Sequence, residues 1–190
     1  MNLIILTLTF YLQLLITRVS TLPLPRSKKA KTLPTTKASF PRIPSGQNGI
    51  NISYPALLYI RHTGKFVKVT SNEINALTTK EDKHAELLLT ARGKLVWTKY
   101  GFQRGISIQG KYSKTFVCMN STGRVSLKKI FNKQKCLFYM KIHKNGYYTF
   151  RLVSNEKRFL GFKQNGETKL GHKTEYHHKA AWMVMQIKHS

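Results

Sequence analysis

The chain has 190 residues, with 33 Lys and Arg against 7 Asp and Glu, a formal net charge of +26 and a sequence pI near 10.4. Such a surface attracts polyanions by fast, salt-dependent association, and nucleic acid, an acidic membrane surface or a sulfated glycan would each satisfy it. The length excludes a β-propeller, which needs more blades than this chain supplies.

Residues 3–16, LIILTLTFYLQLLI, are an apolar run too short for a convincing membrane span, followed by small and polar residues around Arg18–Thr21. The pattern predicts a secretory signal peptide over residues 1–20; an uncleaved anchor or a buried N-terminal helix is the alternative. Residues 21–54 are rich in Pro, Lys and Arg, show no hydrophobic period and contain no acid, the first of which is Glu73. They predict a flexible basic tail. Asn51-Ile52-Ser53 and Asn120-Ser121-Thr122 fit the N-glycosylation acceptor pattern, and Gly123 marks the second as an exposed turn. On the secretory route, the expected polyanion is a sulfated glycosaminoglycan; no nucleic acid partner and no stable membrane insertion are expected.

Residues 55–190 predict one domain, and within it the chain repeats itself. KFVKVTSNEI (65–74), TFVCMNSTGRV (115–125) and RFLGFKQNGET (158–168) share an apolar pair, an alternating third apolar residue and a polar turn. Each follows an alternating run, at 57–62, 105–110 and 147–154, as in a β-hairpin. Each precedes an apolar segment, at 85–89, 136–142 and 181–187. Helix signals are weak, while β-branched and aromatic residues alternate with polar ones. Three units of about four strands predict an all-β, closed, pseudo-threefold β-trefoil of about 12 strands. Its expected core includes Leu58, Ile60, Phe66, Val69, Leu87, Leu89, Ile106, Ile108, Phe116, Phe138, Phe150, Phe159 and Trp182.

The third repeat runs into KQNGETKLGHKTEYHHKA (163–180), where lysines alternate with glycines and polar residues. Ammonium groups there would attract an anion, and Gly166 and Gly171 would let backbone N–H groups approach it. KKIFNKQK (128–135) is a second basic run, usually just a solvated face. His172, His177 and His178 find no Cys or carboxylate at a recognised ligand spacing, and Ser113/Lys114 and Asp82/His84 have no diagnostic spacing. No enzyme activity, cofactor or metal is expected.

The stretches LLYIRHTGKFVKV, GISIQGKYSKTFVCMNSTGRV, CLFYMKIHKNGYYTF and KQNGETKLGHKTEYHHKAA resemble the matching segments of fibroblast growth factors over nearly all of residues 55–187. The resemblance implies a secreted β-trefoil ligand that binds heparan sulfate and a fibroblast growth factor receptor tyrosine kinase and promotes receptor dimerisation. It places heparin-binding positions on Arg61, His62, Lys163, Asn165, Lys169, Lys173, His178, Lys179 and Ala180. Receptor contacts fall on Tyr59, Asn145, Tyr147 and Val184, with ordinary strand packing the competing role for Tyr147. Met140 stands where the family usually has a glutamate, and Gln186 where an apolar contact is common. Cys118 and Cys136 either close a disulfide or stay as two buried thiols, with the bridge slightly favoured. The alternative function is an extracellular glycosaminoglycan- or nucleic-acid-binding trefoil without receptor activation.

Overall fold

A computed structural model describes residues 51–143 and 145–188. The expected signal peptide and the tail up to residue 50 lie outside the described residues. The chain forms β1 (Ile52–Ile60), β2 (Lys65–Val69), β3 (Ile74–Thr78), β4 (Leu87–Thr98), β5 (Gly101–Gly110), β6 (Phe116–Met119), β7 (Val125–Lys128), β8 (Phe138–Ile142), β9 (Tyr148–Leu152) and β10 (Met183–Ile187). A one-turn helix, α1 (Lys133–Cys136), and three 3-10 turns at Lys83–Ala85, Gly171–Lys173 and Lys179–Ala181 complete the described elements. β1 begins three residues upstream of the expected domain boundary at Pro55, because Ile52 to Ala56 pair with Ala91 to Leu87 of β4.

The pairings close a ring. β1 pairs with β4 and β10, β4 with β5, β5 with β8, β8 with β9 and β9 with β10, all antiparallel. A six-stranded barrel of this kind hides the strand edges that an open sheet would expose. Hairpins decorate it at three places. β2–β3 continues from β1 and β6–β7 from β5. A third, reduced hairpin runs from β9 through the bridges Arg151↔Phe159 and Phe162↔Thr168.

That third hairpin explains why ten strands form where about 12 were expected. Two of its backbone donors are diverted into the basic loop, Phe159 N–H to Gly171 O and Phe162 N–H to Ala180 O, while Lys169 N–H to Gly161 O keeps the hairpin's own pairing. Single bridges remain in place of ladders.

The repeats fill the barrel with one phase of their alternation. The second member of each apolar pair and the residue two further on are buried: Val67 and Val69, Val117 and Met119, Leu160 and Phe162. The first members turn away, because neighbouring strand residues face opposite sides. Phe66 and Phe159 are therefore half-buried outside the main core, correcting their expected place, and so is Trp182, whose neighbour Met183 points in instead. Phe116 belongs to a small second cluster with Cys118, Cys136 and Phe131. Leu58, Ile60, Leu87, Leu89, Ile106, Ile108, Phe138 and Phe150 are buried in the main cluster. A disulfide joins Cys118 of β6 to Cys136 of α1.

Candidate polyanion groove and apolar face

The loop after the third hairpin is shaped by its own hydrogen bonds. Gly166 has φ +79°, a left-handed conformation that suits glycine, and closes a turn by donating its N–H to Lys163 O at 3.0 Å. Asn165 Oδ1 accepts from Glu167 N–H at 3.2 Å. Gly171 N–H donates to Gly123 O at 2.7 Å, tying the loop to the β6–β7 turn. A Cβ at Gly171 would lie 2.3 Å from Met119 Sδ, so this contact needs glycine. Both glycine N–H groups are thus engaged inside the protein. They shape the loop; they are not the anion donors that the sequence suggested.

The resulting surface holds an open hollow of about 670 Å³ lined by Arg124, Val125, Lys163, Thr168, Lys169, Leu170 and Lys173. Three of the four cations, Arg124, Lys169 and Lys173, form no ion pair among the described residues. The fourth is partly neutralised: Lys163 Nζ lies 2.7 Å from Glu167 Oε2. Hydrogen bonds from Lys163 and Asn165 hold the Glu167 carboxyl below its ordinary range, so it stays ionised and competes with any incoming anion.

Arg124 is the residue that sequence reasoning missed. It comes from the second repeat, about 40 residues before the loop lysines, and the fold brings it to them. The signal was present in Gly123 and Gly171: each is buried, and a Cβ on Gly123 would sit 3.0 Å from His172 N. His172 Nδ1 adds a 2.9 Å contact to Thr122 O. Two backbones packed this closely deliver the neighbouring arginine to the groove.

The remaining proposed glycan residues do not line this hollow. Arg61 places its guanidinium 5.2 Å from the centroid of the Tyr147 ring, and His62 is half-buried beside it in sequence. Lys179 is exposed in a 3-10 turn, while Ala180 is buried and gives its carbonyl to Phe162. His178 uses Nδ1 to accept the Glu175 N–H at 3.1 Å. Glu175 also lies 3.5 Å from His177, and these three residues bring potential metal-ligand atoms within 4.8 Å of one another. The sequence spacing gave no sign of that carboxylate; the turn from Glu175 to His178, closed by a 3.1 Å backbone bond, supplies it.

A separate apolar face gathers the proposed receptor residues. Tyr59 of β1 is directly opposite Val184 of β10 and packs edge-on against Phe66 at 5.3 Å. Two residues before Val184, and so on the same side, Trp182 stacks on Tyr147 at 5.4 Å with planes 14° apart. Trp182 Nε1 donates to Tyr176 O at 3.1 Å, which orients the indole. Asn145 is exposed in the β8–β9 turn, its Oδ1 3.5 Å from Tyr147 N. Met140 is half-buried against the core, so its side chain packs inward where a glutamate would seek water. Of the acceptor asparagines, Asn51 is exposed at the start of β1. Asn120 caps its own turn, its Oδ1 accepting from Thr122 N and Oγ1 and from Arg124 N.

A closed barrel bearing three hairpins, with a cationic hollow beside the third, defines a basic β-trefoil. Residues 55–183 match the fibroblast growth factor family, and the chain belongs to it. It is 29% identical over 131 residues to fibroblast growth factor 8 of Danio rerio, covering 68% of this chain and 59% of that protein. It is 29% identical over 117 residues to human fibroblast growth factor 18, covering 62% and 53% of the two chains. With human fibroblast growth factor 17 it shares 25% identity over 130 residues, 68% of this chain and 56% of the relative. The chain thus spans between about half and three fifths of the curated relatives it matches. Among the described residues, no helix is long and apolar enough to cross a membrane.

Proposed function

We propose that this protein is a secreted growth factor that binds heparan sulfate in the Arg124–Lys163–Lys169–Lys173 hollow. The same ligand engages a fibroblast growth factor receptor tyrosine kinase through the Tyr59–Val184 and Tyr147–Trp182 face. In this reading residues 1–20 are the signal peptide, residues 21–54 a basic extension and residues 55–190 the growth-factor domain. Asn51 carries an N-glycan, Asn120 stays unmodified as the cap of its turn, and the work done is binding, with no catalysis and no cofactor.

The observation that carries the reading is the hollow itself: three cations without acidic partners among the described residues, drawn from two repeats, on a chain of the growth factor family. Lysines supply point charges for sulfates, and the Arg124 fork can grip one sulfate with two N–H groups. Arg61, His62, Asn165, His178, Lys179 and Ala180 then belong to the surroundings of the hollow, where Arg61 over Tyr147 links the glycan side to the receptor side. Heparan sulfate held there would bring two receptor-bound ligands together and so promote dimerisation. Aromatic anchors ringed by polar groups are what a receptor contact needs.

The test combines purified receptor ectodomain, the protein and heparin in sedimentation, alongside receptor phosphorylation on cells. A ternary complex and phosphorylation are expected. Heparin binding with neither would leave the alternative, an extracellular polyanion binder that activates no receptor.

A further inference from the structure

The β6–β7 turn that sends Arg124 into the hollow also borders a second basic depression. This depression, about 200 Å³, is lined among others by Asn120, Gln134, Lys135, Ser154, Asn155 and Arg158. Asn120 and Arg124 face each other across the neck of the turn, with Asn120 N–H donating to Arg124 O at 3.0 Å. Asn120 lines the second depression and Arg124 the first, so the two meet at this turn.

Nothing about this second depression depends on loose side chains alone. Asn132 caps α1, its Oδ1 accepting from Gln134 N at 3.0 Å and Lys135 N at 3.1 Å. Ser154 Oγ donates to Gln134 O at 2.6 Å, and Val153 N–H to Leu137 O at 2.9 Å, fastening that segment to β9. The disulfide at Cys136 anchors its end to β6. Arg158 donates Nη1 to Asn120 O at 3.2 Å, reaching back to the turn. The Lys135 ammonium is exposed and forms no ion pair among the described residues. Glu156, the acid nearest in sequence, is committed elsewhere, 2.9 Å from Lys99 and 3.0 Å from Arg151.

We infer that Lys135 and Arg158 form a second sulfate subsite, so that one sulfated chain crosses the Asn120–Arg124 turn and occupies both depressions. This gives the KKIFNKQK segment a binding role through Lys135. The inference rests on the glycan reading of the first hollow and extends its ligand to a longer oligosaccharide than that hollow can hold.

The test uses the full chain and size-fractionated heparin oligosaccharides, with affinity measured against salt. For the unaltered protein, affinity should rise from the shortest fragments to those long enough to cross the turn. Lys135→Ala should remove one contact from the long fragments, lowering the log–log salt slope by about 0.7–0.9, and leave the short ones unchanged. Arg158→Lys, which keeps the charge but loses the fork, should weaken long fragments alone. Equal losses on short and long fragments, or none on either, would overturn the second subsite. Loss of short-fragment binding in a Lys169→Ala/Lys173→Ala protein upholds the first hollow whatever Lys135 does, whereas failure of every fragment to bind the unaltered protein sinks both.

Discussion

Replacing Arg124, Lys169 and Lys173 together by alanine removes the three cations of the main hollow that pair with no acid among the described residues and leaves Lys163, which Glu167 already holds at 2.7 Å. Each unpaired cation that neutralises a sulfate should contribute about 0.7–0.9 to the log–log salt slope, so the triple variant should lose about 2–3 units. Lys163→Ala alone should cost less than any one of the three, because Glu167 already holds its ammonium and leaves it less to offer a sulfate. Glu167→Gln should act in the opposite direction and tighten binding about twofold, since an exposed ion pair is a weak competitor. Heparin affinity measured at several salt concentrations reads all three effects, and thermal melting should shift by no more than about 2 °C because exposed charges contribute little to stability. An unchanged slope in the triple variant, or an equal loss from Lys163→Ala, would refute the assignment of roles within the hollow.

Three further outcomes follow from the fold. The Cys118–Cys136 bridge spans a sequence separation of 18, so replacing both residues by alanine should cost about 3 kcal/mol by loop closure and lower Tm by about 10 °C; a melt unaffected by reductant would oppose this. Acidification should weaken the fold in two stages. Burial, with Lys141 nearby, lowers the His143 pKa from its ordinary 6.5, and the ring stacks on Tyr176 at 3.8 Å. The unfolded chain therefore takes up this proton first, and stability present above about pH 6.5 is lost as pH falls through the depressed folded value. Below the ordinary carboxylate range the same sign applies to Glu86, Glu156 and Asp82. Their pKa values are lowered chiefly by hydrogen bonds from Lys111, Lys99 and the Thr78 hydroxyl respectively. Melting from pH 8 to 3 should show both stages, with His143→Gln abolishing only the first; a Tm that rises on acidification would contradict the linkage. Gly166→Ala should destabilise by roughly 1–2 kcal/mol, since its φ is +79° and the added Cβ would meet Leu77 Cγ at 2.3 Å, and denaturant unfolding measures it.

Much of the site was readable as composition and spacing. Lys163, Lys169 and Lys173 stand out because no core could accept them, and the three repeats announce a threefold barrel. The inward phase was harder to read. KFVKV offers Phe66 and Val67 as rival core residues, and neighbouring positions on a strand face opposite sides, so hydrophobicity favours the phenylalanine while the barrel buries the valine. Glu167 likewise looks like one acid among many lysines until its distance to Lys163 shows which charge it cancels.

The sequence by itself determined an all-β chain in three units, a strong positive charge and a lysine-rich third loop, because strand alternation and charge are local properties of residues. Tertiary structure alone decided which cations act together. Gly123 and Gly171 let two turns from different repeats touch, placing Arg124 beside Lys169 and Lys173, and barrel closure set Tyr59 opposite Val184. Those contacts join residues some 45 to 125 positions apart, and no local pattern encodes that distance.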